Sequence, residues 1–183
     1  MDETIELIAQ LIEEHKIINR TVQDLERAVN DVDIGNEINR AKEAFVPGRF
    51  QQKEGLLRLK ELLEAADKRI EAHFNREETS LLIAFERSAV GNLVSALRSL
   101  LTEHGELREQ MVHTKELVAE LIGGDLSHQS WEAKANDLRA YISNNHNLLL
   151  NHARKELEIF LQIKKQLEGT DGSDQTRSQT SGH

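Results

Sequence analysis

Apolar residues recur at three- and four-residue steps through most of this chain, and a stripe of that period predicts α-helix. Ile5, Ile8, Ile12, Val22, Leu25 and Val29 mark a first helix from Asp2 to Asn30. A polar stretch with Asp31, Asp33, Gly35, Asn36, Pro47 and Gly48 follows, with room for a short helix over 37–45. Leu56, Leu59, Leu63, Ile70 and Leu81 then line one side of a second helix, from about Gln51 to Glu86. Gly91-Asn92 reads as a short turn. The third helix carries Leu93, Leu97, Leu100, Leu107 and Met111 and runs to Ile122. Gly123-Gly124-Asp125 stops it, because paired glycines end helices. Ser127 or Ser130 can cap a fourth helix that runs to about Glu168. Short connections make successive helices antiparallel neighbours, so the expected fold is all-α, an up-down-up-down four-helix bundle over residues 1–168. Residues 169–183 have no apolar side chain to bury and are expected to be a disordered tail.

Composition narrows the possibilities. The 183 residues suffice for one domain with a core. A net charge of -9 argues against nucleic acid and anionic membranes as partners. Cys is absent, which excludes disulfides and thiolate-ligated clusters. No apolar run approaches the ~20 residues of a membrane span, and the N-terminus lacks the form of a signal peptide, so a cytoplasmic location is the default.

The chemistry lies in histidine. "EAHFNREE" (71–78) and "LNHARKELE" (150–158) each carry His-x-x-x-Glu, and residues four apart share a helix face. His73 with Glu77, and His152 with Glu156, are therefore natural half-sites for a divalent cation. The spacing alone is weak evidence, since it also occurs at His128–Glu132. Context separates the three. "LIEEH" ending at His15 and "LLTEH" ending at His104 each precede one pair, which suggests two similar hairpins. His15 and His104 lie within apolar stripes, whereas His113 sits among Glu106, Glu109, Glu116 and Glu120 on a solvated face. At ~1.5 Å per residue, His73 lies ~20 Å before the end of its helix and His104 ~20 Å after the start of the next. His104 lies ~27 Å from its own helix end and His152 ~33–37 Å into the fourth helix, so the four histidines can share one layer. His128 is ~36 Å away along the fourth helix. His146 is about 120° around that helix from His152 and is a poor co-ligand. Burying four imidazoles and two carboxylates without a metal would cost several kcal/mol, and a metal removes that cost.

The order His, His-x-x-x-Glu, His, His-x-x-x-Glu on long helices resembles the hemerythrin-like (HHE cation-binding) family over roughly residues 1–168. The resemblance implies that His15, His73, Glu77, His104, His152 and Glu156 bind two non-haem iron ions. Glu77 and Glu156 would bridge the irons, with an oxo or hydroxo group between them. Glu-x-x-His and His-Glu-x-x-His do not occur, which disfavours ferritin-like and zinc-protease sites. Two departures stand out. Oxygen-carrying hemerythrins use five histidines, including His-x-x-x-His, and no such pair occurs here. Relatives implicated in iron–sulfur repair carry a fifth histidine between the first His and the first pair, and residues 16–72 contain none. Water, Glu14, Glu78 or Glu103 can fill the open positions, with Glu78 the foremost candidate, and Glu14 and Glu103 are also candidates to orient the ligating rings.

The implied function is a di-iron protein that reacts with or senses O2, NO or peroxide, with reversible O2 transport disfavoured. Alternatives are an iron-responsive interaction module without turnover, whose protein partner the sequence does not name, and a peroxidase or repair catalyst.

Overall fold

The computed structural model describes residues 2–30, 54–87, 91–123 and 126–174, all but a few of them helical. Helix α1 spans Asp2–Asn30. Helix α2 spans Glu54–Arg76, continues as a π-helical turn over Glu77–Leu81 and ends in α3, Leu82–Arg87. Helices α4 (Gly91–Leu101) and α5 (Glu103–Gly123) form the next arm, and α6 spans His128–Asp174. The helices pack in a ring: α1 touches α2 and α6, and α5 touches the same two. No helix among the described residues is long and apolar enough to cross a membrane.

Four boundaries differ from the periodicity reading. The second arm is interrupted at Glu77, where the backbone N–H of Leu82 bonds the carbonyl of Glu77, five residues back. The buried residues there, His73, Glu77, Leu81 and Phe85, are spaced by four, and each such step overshoots an α-helical turn by about 40°. One wide turn absorbs the overshoot and keeps them on the inner face. The third arm is two helices that meet at Thr102, whose hydroxyl donates to the Ser99 carbonyl at 2.6 Å. That arm starts at Gly91 itself rather than after a Gly-Asn turn. Helix α6 runs on to Asp174, beyond Glu168 where the apolar pattern ends, since extending a formed helix adds one backbone bond per residue. The proposed short helix over 37–45 and residues 175–183 lie outside the described residues. Of the two serines, Ser127 is the cap: its hydroxyl accepts from the Ser130 N–H at 3.2 Å.

The core is split in two. One cluster runs from Ile18 to Val29 on α1, with Leu56 to Phe74 on α2, Leu107 to Leu121 on α5 and Ala135 to Ile142 on α6. The other joins Ile8, Leu11, Leu81, Phe85, Leu93, Leu97, Phe160 and Ile163. Along every arm a gap separates the two clusters, and the candidate ligands lie in it or, for His73, at its edge: His15 between Leu11 and Ile18, Glu77 between Phe74 and Leu81, His104 between Leu97 and Leu107, His152 and Glu156 between Ile142 and Phe160. Leu97→Ala removes a fully buried side chain and should cost about 2–5 kcal/mol in denaturant unfolding, whereas Leu161→Ala, at a half-exposed position, should cost under about 0.5 kcal/mol.

Candidate metal centre

Six side chains from four arms converge in the gap. His73, Glu77, His104, His152 and Glu156 are fully buried, and the His15 side chain is 12% exposed. They form two overlapping groups, His15–His73–Glu77–Glu156 and His104–His152–Glu77–Glu156, and within each group the potential ligand atoms all lie within 4.8 Å of one another. The two carboxylates belong to both. Glu77 turns Oε1 toward His73 Nε2 at 3.1 Å and Oε2 toward His104 Nε2 at 3.4 Å. Glu156 turns Oε2 toward His15 Nε2 at 2.8 Å and Oε1 toward His152 Nε2 at 3.1 Å. Each acid thus offers one oxygen to each pair of imidazoles, the disposition of a bridge between two cations.

The orientation of these atoms tests whether a metal fits. His15 Nε2, His73 Nε2 and all four oxygens of Glu77 and Glu156 are buried with no aligned hydrogen bond, despite the short approaches. Buried polar atoms are nearly always satisfied, and leaving one unpaired costs about 1–3 kcal/mol. His104 Nε2 and His152 Nε2 point at each other across 2.9 Å. Two nitrogens on one cation, each ~2.1 Å from it at a right angle, are ~3.0 Å apart. Imidazole nitrogen with carboxylate oxygen is a donor set for iron, manganese or zinc. The six residues fit two cations.

The far side of three rings is held by a second layer of acids. His73 Nδ1 donates to Glu14 at 3.0 Å, His104 Nδ1 to Glu78 at 2.8 Å and His152 Nδ1 to Glu103 at 3.2 Å. This fixes each proton on Nδ1 and leaves the Nε2 lone pair facing inward. Each acid is in turn gripped by a cation: Arg76 on Glu14 at 2.8 Å, Arg108 on Glu78 at 2.8 Å, Lys155 on Glu103 at 2.5 Å. Glu78 is therefore not in a ligand position. Its carboxylate faces the outer nitrogen of His104, where the Arg108 guanidinium holds both its oxygens. Glu14 and Glu103 take the orienting places expected of them. Arg76 and Lys155 directly precede Glu77 and Glu156 in the chain. Arg108 was not singled out, although it stands one helical turn beyond His104. Phe74 stacks on His104, ring centroids 3.7 Å apart and planes 11° from parallel, and blocks rotation of that imidazole.

His146 and His113 lie outside the cluster, as expected. His146 Nδ1 bonds Glu26 at 2.6 Å, and His113, 46% exposed, packs edge-on against Tyr141. The side chain of His128 is outside the described residues.

The electrostatics of the metal-free chain follow from this packing. Burial pulls the His104 imidazole down, but Glu156, Glu77 and Glu78 outweigh it and push its pKa up to about 9. His73 is raised in the same way, with Glu77 overcoming burial. Burial would raise Glu156, yet His104, His15 and His152 hold it well below the usual carboxylate range. Burial likewise opposes ionisation of Glu14, Glu78 and Glu103, and their imidazole and cationic partners more than compensate. For a raised histidine, the stabilising contribution is complete below the ordinary value of 6.5 and is lost as pH climbs through about 9. For the depressed Glu156 it is complete above 4.5 and is lost as pH falls. The metal-free protein should therefore lose on the order of 5 °C in Tm between pH 6.5 and 9, measured by calorimetry, and His104→Asn should flatten that limb.

A model of the Hemerythrin HHE cation binding domain matches residues 6–163. No curated protein and no solved structure gave a match. The matched span takes in all six converging residues and nearly all of the helical ring, and the chain belongs to the hemerythrin HHE cation-binding family.

Proposed function

We propose that this protein holds two non-haem iron ions and uses them to react with or sense a small diatomic molecule or peroxide. The observation that carries the reading is the pair of shared carboxylates, Glu77 and Glu156, each with one oxygen toward His15 and His73 or toward His104 and His152, and none of the four oxygens aligned in a hydrogen bond. His15 and His73 would hold one ion, His104 and His152 the other, and the two acids would bridge them. When bound, such a pair would supply electrons to a small oxidant such as O2 or peroxide. The chain does the rest. Glu14, Glu78 and Glu103 orient three rings and raise their basicity, and the clusters above and below keep bulk water from the layer. An alternating up-and-down course of the four arms is part of this reading, supported by the ring of contacts in which each arm meets its two neighbours.

Metal analysis and the absorption spectrum of the purified protein test the proposal. We expect two irons per chain and an oxo-bridge charge-transfer band; one zinc and no colour would overturn it. His73→Ala and His152→Ala should each lose metal while far-UV circular dichroism stays helical. Stripping the metal with a chelator should lower Tm by more than about 5 °C, because the unpaired buried atoms then have no partner.

A further inference from the structure

Beside the candidate centre lies a cavity of about 30 Å³ that the ligand set does not fill. On this measure a water needs roughly 10–15 Å³, so there is room for about two oxygen-sized groups. Three of the four candidate ligand rings, His15, His73 and His152, form part of its wall, while His104, Glu77 and Glu156 do not. The cavity therefore opens on the side of the centre away from the bridging acids. Most of the remaining wall is aliphatic, and no lysine or arginine among the described residues lines it. Two polar side chains interrupt it, Asn19 on α1 and His146 on α6.

Both carry a buried atom without a hydrogen-bond partner, Asn19 Oδ1 and His146 Nε2. His146 is only 9% exposed, and its ring is fixed from behind. Nδ1–H donates to Glu26 at 2.6 Å, and the Ser143 hydroxyl donates to the other oxygen of Glu26 at 3.0 Å. With Nδ1–H engaged by Glu26, Nε2 is the acceptor of that tautomer and is the nitrogen left for the cavity. The Asn19 carbonyl oxygen is also an acceptor. Two unpaired acceptors on an uncharged cavity ask for a neutral ligand with O–H donors. Dioxygen and nitric oxide have no hydrogen to give, and an anion would find no lysine or arginine on this wall. Hydrogen peroxide has an O–H at each end of a two-oxygen body.

We infer that this cavity is a binding subsite for hydrogen peroxide, with His146 Nε2 accepting one of its O–H groups and Glu26 and Ser143 acting as positioning residues for that ring. The inference rests on the metal-centre reading and narrows its ligand from small molecules in general to one.

Stopped-flow and equilibrium titration of the iron-loaded full chain test it. His146→Asn keeps a donor for Glu26 and removes the Nε2 acceptor; His146→Gln can restore an acceptor toward the cavity. H146N should keep wild-type iron content and bind azide (ferric form) and nitric oxide (ferrous form) within about twofold of wild type. Its rate at low peroxide should fall about tenfold with the saturating rate kept, the factor expected for one hydrogen bond, and H146Q should recover most of the loss. In zinc-loaded protein, where no turnover occurs, the 15N resonance of His146 Nε2 should shift on adding peroxide. Equal losses for peroxide, azide and nitric oxide, no resonance shift, or iron lost from H146N would each overturn the subsite. A wild-type protein that holds iron and binds azide but ignores peroxide sinks this inference alone. One that holds no metal sinks the centre as well.

Discussion

The structure is organised around a desolvation problem. Four imidazoles and two carboxylates sit at the centre of an apolar bundle, and six of their atoms lack an aligned hydrogen bond. Bulk water would satisfy them, but the packed helices bury them away from it. Protons satisfy them in part, which is why His104 and His73 are raised and Glu156 is depressed in the metal-free chain. Divalent or trivalent cations satisfy all of them together, because each carboxylate can give one oxygen to either side. The irregularities of the fold belong to the same problem. The π turn begins at Glu77 and the break at Thr102 lies two residues before His104, so both arms depart from regular helix where they must deliver a polar side chain inward.

Much of this was legible in the order of residues. The apolar stripes located the helices because burying one face is what stabilises a helix in a bundle. They also showed His15 and His104 facing inward, since each interrupts a run of leucine and isoleucine. Counting along the helices placed the four histidines at one depth, and the structure brings them there. Spacing paired Glu77 with His73, but it could not give the role of the acid beside it. Glu77 and Glu78 are adjacent and chemically alike; only the packed structure shows one turned into the core and the other drawn out by Arg108. The π turn escaped for a related reason. A four-residue repeat looks helical, and its accumulated angular error shows only when the inner face has to close.

The pairing of Glu26 with His146 was hidden differently. It joins residues 120 positions apart on the first and last helices, and nothing near either of them signals it. His146, whose angle to His152 made it a poor co-ligand, lies outside both candidate ligand groups. That same angle carries it past the ligand layer, to the wall of the neighbouring cavity.

The outer acids have a consequence for how the interior communicates. Glu14, Glu78 and Glu103 each touch an inner imidazole on one side and an Arg or Lys near the surface on the other. A gain or loss of charge in the core alters the pull on each ring's outer proton, and through it the grip of each acid on its cation. A change in the charge held by the core would thus arrive at the molecular exterior as a shift in surface potential, with the backbone standing still.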